Sequence, residues 1–186
     1  MVLLSSSIQS VAVIGSGVMG AGIAAHCANA GCKVLLLDIA KEGDDRSAVA
    51  RAAIEQMMKS NPEMLMHKRN AKLISSGNIE DDLDKLSEVD WVIEVIIENL
   101  DIKRRLYDSM SEHIGPRTIV SSNTSTLPRA ELVENMSSKM ASRFLITHFF
   151  NPPRYLPLLE VVTSSEVDSS VTDRLCAFAD ERLGKR

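Results

Sequence analysis

Six residues near the start of the chain, Gly15-Ser16-Gly17-Val18-Met19-Gly20, have the spacing G-x-G-x-x-G. Such glycines make a phosphate cradle when they lie between a strand and a helix. Gly15 permits the tight turn, Gly17 lets backbone approach a pyrophosphate, and Gly20 lets helix and strand pack closely. The helix amino end, with Val18 and Met19 in its first turn, then offers unpaired N–H groups and a partial positive charge to the phosphates. Gly-rich turns are common, so context decides the matter. A β-branched run at 11–14 precedes the glycines, and Asp38 ends the next apolar run at 33–37. That context makes the pattern a dinucleotide fingerprint. A carboxylate at 38 accepts hydrogen bonds from the ribose 2′- and 3′-hydroxyls and repels a 2′-phosphate. No Arg follows at once, and the nearest cation is Lys41. The expected cofactor is NAD, with a flavin or nucleotide-free fold of the same kind as the lesser alternative.

Other residue types capable of chemistry carry less by themselves. Cys27, Cys32 and Cys176 are odd in number and form no C-x-x-C pair. They suit neither a disulfide framework nor a zinc site, and read as small buried apolar residues in a reducing, cytoplasmic setting. Of four histidines, His26, His67 and His113 fall on helical patterns, whereas His148 ends the apolar run 144–147 at a strand terminus. No basic stretch offers a face for nucleic acid in a chain with 21 Lys and Arg against 25 Asp and Glu and only 4% aromatic residues. No apolar run approaches the roughly 20 residues that span a bilayer. Residues 1–4 are apolar but follow no positive region, which argues against a signal peptide.

The elements that must position these residues alternate. Strands are expected over 11–14, 33–37, 91–97, 118–122, 144–149 and 158–163, with a brief one at 73–75. Helices are expected over 18–30, 102–114 and 128–135, the last with its start marked by Thr126 and Pro128. A helical insertion after the second strand repeats its apolar positions at Val49, Ala53 and Met57, breaks at Pro62, and resumes over 64–72 before a helical turn at 81–86. A final helix carries Val171, Leu175, Phe178, Ala179 and Leu183. At 186 residues one domain is expected, an α/β Rossmann-type fold with a doubly wound, mostly parallel sheet. Sites in such folds lie at the carboxyl ends of the strands.

Four segments carry a resemblance: VAVIGSGVMGAGIAAHCANAGCKVLLLD at 11–38, IEVIIENLDIK at 93–103, SSNTSTL at 121–127 and HFFNPPRYLPLLEV at 148–161. Together they resemble the amino-terminal NAD-binding domain of L-3-hydroxyacyl-CoA dehydrogenases, over nearly the whole chain and most weakly across 40–86. The PPRYL wording is similar to the multifunctional branch, which also carries an enoyl-CoA hydratase. The resemblance implies oxidation of 3-hydroxyacyl-CoA to 3-oxoacyl-CoA in fatty-acid β-oxidation. It implies His148 as general base, Glu160 as its partner and Ser125 as the group that bonds the substrate oxygen. An imidazole suits that work because its ordinary pKa of about 6.5 lets it cycle at neutral pH. The Asn-Pro-Pro turn at 151–153 could fold Glu160 back beside His148 to fix the tautomer. The resemblance further implies Asn151, Glu98 and Lys103 beside the nicotinamide and its ribose. Arg46, Arg51 and Lys59 read as a solvated helix face.

The pattern has one departure. The family carries another active-site Asn after its Leu-Gly-Lys stretch, then a helical domain that forms the dimer and closes over substrate. Neither has a counterpart in these 186 residues, which run to Leu183-Gly184-Lys185-Arg186. The expectation is a single NAD-binding domain over 1–186, part of something longer, that binds NAD better than it turns over. Homo-oligomers are then expected only with the further domain. Two other readings fit part of the pattern. A non-catalytic NAD-binding module would await another chain. A β-hydroxyacid dehydrogenase of small free acids would share the glycines and Met19, but would use a Lys base.

Overall fold

In the computed structural model, residues 8–186 are described, so the signal-peptide reading of residues 1–4 falls outside them. Strand β1 (Ser10–Ile14) leads through the glycine turn into helix α1 (Val18–Asn29) and strand β2 (Lys33–Asp38). The insertion follows, as α2 (Ala48–Met57) and a 3-10 helix (Lys68–Leu73), then strand β3 (Ile74–Asn78) and a second 3-10 helix (Leu83–Glu88). Next come β4 (Trp91–Glu94), α3 (Leu100–Ser111), β5 (Ile119–Ser122), α4 (Arg129–Val133) and α5 (Ser138–Ala141). The described chain is completed by β6 (Phe144–Phe149), β7 (Leu159–Val162) and α6 (Ser169–Glu181).

The strands form one sheet in the order β3-β2-β1-β4-β5-β6-β7, parallel except for the antiparallel β6–β7 pair. This is the doubly wound Rossmann arrangement with an antiparallel strand added at one edge. Strand order reverses between β1 and β4, where a crevice opens beyond the carboxyl ends. Side chains that alternate along each strand feed two cores. Val11 and Val13 of β1 pack with Ile93, Leu145, α1 and α6 on one face, while Ala12 and Ile14 pack with Val92, Val120, α3 and α4 on the other. Trp91 sits at the centre of the first core, stacked on Phe149 at 6.3 Å and edge-on to Phe178 at 6.2 Å. Its Nε1 donates to Ser121 Oγ at 2.9 Å, so the indole is buried without an orphaned donor.

The departures from expectation have local causes. Strand β4 stops at Glu94 rather than running to 97, because the Ile96 amide turns back to the Glu94 carboxylate at 2.8 Å. Helix α3 begins at Leu100, two residues early, since the Asn99 side chain caps it by accepting from the Ile102 amide at 3.0 Å. Strand β3 extends to Asn78 because all five of its residues pair with β2. Thr126 does not cap α4, whose N-cap is Pro128 with no side-chain bond, and a separate helix α5 follows behind Ser137. Cys27 and Cys32 are buried as expected, but Cys176 is exposed on α6. Burial pushes the Cys32 thiol up to about 11 and the Cys27 thiol further still.

Candidate active site

Gly15 leaves β1 with φ +105°, a conformation that side chains rarely adopt, and a Cβ there would lie 2.5 Å from Val95 O. Gly17 caps α1 and has nothing within 4 Å of an added Cβ, so its outer side is open. Gly20 is the tightest: a Cβ would meet Gly15 O at 1.8 Å. Asp38 closes the cradle. Its Oδ2 accepts from both the Ser16 amide and the Ser16 hydroxyl at 2.5 Å, and its Oδ1 accepts from the Ile39 amide at 2.7 Å. Gly15, Gly17 and Asp38 line one cleft of ≈ 760 Å³, walled on its apolar side by Ile39, Ile79, Leu83, Ile96, Ile97 and Ile102. The open glycine backbone, the helix amino end and an acid held at the rim fit a dinucleotide phosphate and its ribose.

Beside the cleft, the end of β4 anchors a buried ionic network. Glu94 is fully buried and accepts at 2.6 Å from each of Lys103 Nζ, Tyr107 Oη and Ser122 Oγ. Lys103, itself 1% exposed, also lies 3.4 Å from Glu98. Glu98 accepts from the Thr124 hydroxyl and, at 3.0 Å, from the Thr126 hydroxyl. Burial works to raise the Glu98 carboxyl, but these hydroxyls and the Lys103 charge hold it below the usual carboxylate range. Burial beside Glu94 drives the Tyr107 phenol well above its ordinary value, so it remains a donor. The resemblance implied Glu98 and Lys103 beside the cofactor; in the fold Lys103 is buried, enclosed by Glu94, Glu98 and the Ile96 carbonyl.

At the far side of the crevice His148 and Glu160 are direct cross-strand partners in β6–β7, and His148 Nδ1 lies 2.8 Å from Glu160 Oε2. The Asn-Pro-Pro turn does fold them together. The imidazole ring packs against Phe150 at 4.6 Å between centroids. Strand β5 ends at Ser122, opposite Ile146, so the loop after it runs alongside His148. Asn123 fixes that loop, accepting from the Phe149 amide at 2.9 Å and donating its own amide to Glu94 O at 2.8 Å. Ser125 lies exposed in the loop, with its hydroxyl unengaged among the described residues. Asn151 shares a cavity of ≈ 240 Å³ with Val18 at the start of α1, where Pro153 packs so closely on Gly22 that a Cβ there would meet its Cδ at 2.9 Å. From β1 to β6 is three strand spacings, about 15 Å.

A family model described as 3-hydroxyacyl-CoA dehydrogenase, NAD binding domain, matches residues 10–186. The chain belongs to this family. It is 47% identical over 179 residues to a probable 3-hydroxyacyl-CoA dehydrogenase of Deinococcus radiodurans, covering 96% of this chain and 52% of that protein. It is 46% identical over 183 residues to a putative fatty acid oxidation complex trifunctional enzyme of Rickettsia felis, covering 98% of this chain and 25% of that one. The chain thus spans about half or less of the length of these curated relatives. Among solved structures, 3-hydroxybutyryl-CoA dehydrogenase from Escherichia coli superposes with a TM-score of 0.79 at 32% identity, covering 97% of this chain and 37% of that one. The cofactor of this 3-hydroxyacyl-CoA dehydrogenase domain is NAD, as the glycines and Asp38 imply.

Several residues that organise the crevice are given no role by any motif of the sequence. Glu94 was signalled by an acid inside the apolar run WVIEV, a placement that demands a buried partner. Ser16, Asn123 and Thr124 carry no such signal, because the bonds that tie them to Asp38, Phe149 and Glu98 reach 22 or more residues along the chain. No cluster of potential metal ligands occurs among the described residues, and no described helix is long and apolar enough to cross a membrane.

Proposed function

We propose that this chain is the cofactor-binding and proton-handling part of an NAD-dependent dehydrogenase that oxidises L-3-hydroxyacyl-CoA to 3-oxoacyl-CoA in fatty-acid β-oxidation. The His148–Glu160 pair carries the reading: an imidazole at a strand end on the carboxyl edge of the sheet, with Nδ1 engaged by a carboxylate at 2.8 Å. That bond leaves Nε2 for the substrate hydroxyl. Glu160 fixes ring and tautomer, and steadies the imidazolium formed when the proton arrives. Ser125, free in the adjoining loop, donates to the substrate oxygen. NAD, when bound, supplies the hydride acceptor. Gly15, Gly17, Val18, Met19 and Gly20 receive its pyrophosphate, Asp38 the adenine ribose, and Glu98 and Asn151 the nicotinamide side, with buried Lys103 positioning the Glu98 carboxylate from behind. The names of the Deinococcus and Rickettsia relatives support the substrate class and the pathway. The free thiols support a reducing, cytoplasmic location.

The test follows NADH absorbance with acetoacetyl-CoA, alongside NADH binding by fluorescence, for the native chain and for His148→Gln. The expected outcome is turnover that the substitution lowers by about 100-fold or more, with NADH affinity unchanged. NADH binding without turnover favours a second reading, a module completed by a further domain, which the chain's share of its relatives' length supports. A chain that does not bind NADH sinks both.

A further inference from the structure

Asp38 is not the only acid at the adenosine rim. Its register partner at the end of β3 is Asn78, and the Ile79 amide donates to the Asp38 carbonyl at 2.9 Å, so the turn after β3 adjoins Asp38. Asn78 is 2% exposed and builds that turn. Its Oδ1 accepts from the Glu80 amide at 3.0 Å and the Asp81 amide at 2.9 Å, while its Nδ2 donates to Asp81 Oδ2 at 2.9 Å. Glu80 lines the same cleft as Asp38 and Ile39. Both carboxylates engage one cation: Arg46 reaches Glu80 Oε2 and Asp81 Oδ2 at 2.6 Å each. Arg46 ends the loop that leaves Asp38, with its carbonyl accepting from the Lys41 amide at 3.0 Å.

An Arg in the loop after the second strand is the group a Rossmann fold uses to receive a 2′-phosphate, and its planar fork suits phosphate oxygens. Here that fork is already satisfied by two carboxylates. We propose that Glu80 and Asp81 are specificity determinants that keep Arg46 from a 2′-phosphorylated cofactor, a second barrier to NADP behind Asp38. The barrier works twice over. It occupies the guanidinium of the loop that leaves Asp38, and it sets the Glu80 carboxylate, which lines the cleft beside Asp38, against a phosphate on that ribose. It follows that removing Asp38 alone leaves the site unable to hold NADPH. The inference rests on the assignment of Asp38 to the adenine ribose.

The experiment measures NADH and NADPH affinity by fluorescence titration at low ionic strength, where exposed pairs are least screened. The proteins are the native chain, Asp38→Ser, Asp38→Ser/Glu80→Gln/Asp81→Asn, and the last with Arg46→Ala added. Gln and Asn keep the acceptor oxygens that the turn uses, and circular dichroism checks that each variant is folded. Asp38→Ser is expected to weaken NADH about tenfold with little gain in NADPH. Adding the two neutral residues is expected to tighten NADPH a further tenfold or so, a gain that Arg46→Ala removes. Equal NADPH affinity in the single and triple variants overturns the proposal, as does a gain that survives Arg46→Ala. An Asp38→Ser protein with native NADH affinity instead removes the ribose assignment on which it stands.

Discussion

Two glycines of the cradle differ by what surrounds a missing Cβ, and so should their alanine variants. At Gly20 the added carbon would lie 1.8 Å from the Gly15 carbonyl oxygen, a backbone atom that cannot swing aside. Either α1 or the turn must shift. Gly20→Ala is expected to cost about 2 kcal/mol or more in a urea melt and to abolish NADH binding together with the turn. At Gly17 the carbon would project into open space. The lost preference for Gly at a helix N-cap is set against reduced freedom of the unfolded chain, so Gly17→Ala should change stability by less than about 1 kcal/mol. Its NADH affinity should nonetheless fall, because the space it fills is where the pyrophosphate approaches. Equal stabilities for the two variants would show that the close contact at Gly20 is relieved without cost.

Among elements, α3 is joined to the sheet by its apolar face, Leu106, Tyr107 and Met110, and by Lys103 and Tyr107 reaching Glu94 at the end of β4. An ion pair with side chains 1% and 0% exposed is weak evidence of net stability, but breaking one half leaves an unpaired buried charge. Lys103→Met is therefore expected to cost about 3–5 kcal/mol. Adding Glu94→Gln removes the stranded charge and should restore at least about 1 kcal/mol, measured as the coupling in a double-mutant cycle from urea melts. Two additive losses would mean that no such charge is stranded. This network also marks the limit of what the sequence made legible. The order of elements, the glycine cradle and Asp38 follow from local pattern, since strand ends and turns fix them, whereas the His148–Glu160 pair was legible through the resemblance carried by 148–161. The Glu94 cluster follows from neither, because three of its bonds join residues from β4, α3 and β5 that only the fold brings together. Helix α5 went unseen for a related reason: with only Met140 buried in four residues, it has too few apolar positions to show a period.

At the scale of the whole molecule, the last residues of the described chain are locked to the first helix. His26 of α1 bonds the Leu183 carbonyl through Nε2 at 3.0 Å, and its Nδ1 is buried without a partner. Two residues on, Lys185 donates to the carbonyls of Pro153 and Leu156, in the loop that packs on Gly22 and carries Asn151. Burial, the Lys185 charge and, more weakly, the Arg154 charge push His26 down to about 4, while the bond to Leu183 opposes them. The folded protein thus holds this imidazole neutral at pH values where the unfolded chain, titrating near 6.5, binds a proton. Stability from this group is complete above about 6.5 and is lost as pH falls towards 4, since the unfolded state binds more protons throughout that window. Between about pH 7.5 and 5 the loss should reach about 2 kcal/mol. His26→Gln keeps a donor near the Leu183 carbonyl but cannot titrate, so its urea-melt stability should fall less over the same interval by that amount. Parallel pH dependence in the two proteins would place the acid sensitivity elsewhere. The consequence reaches the crevice: a proton on His26 sets a second positive charge against Lys185, loosening the latch that holds the Pro153 loop against α1. Mild acid should therefore lower amide protection factors, which correct for the slower intrinsic exchange, at the non-proline residues of 154–159 and at 183–186 before it lowers them in β1 or β4, and His26→Gln should remove that early step.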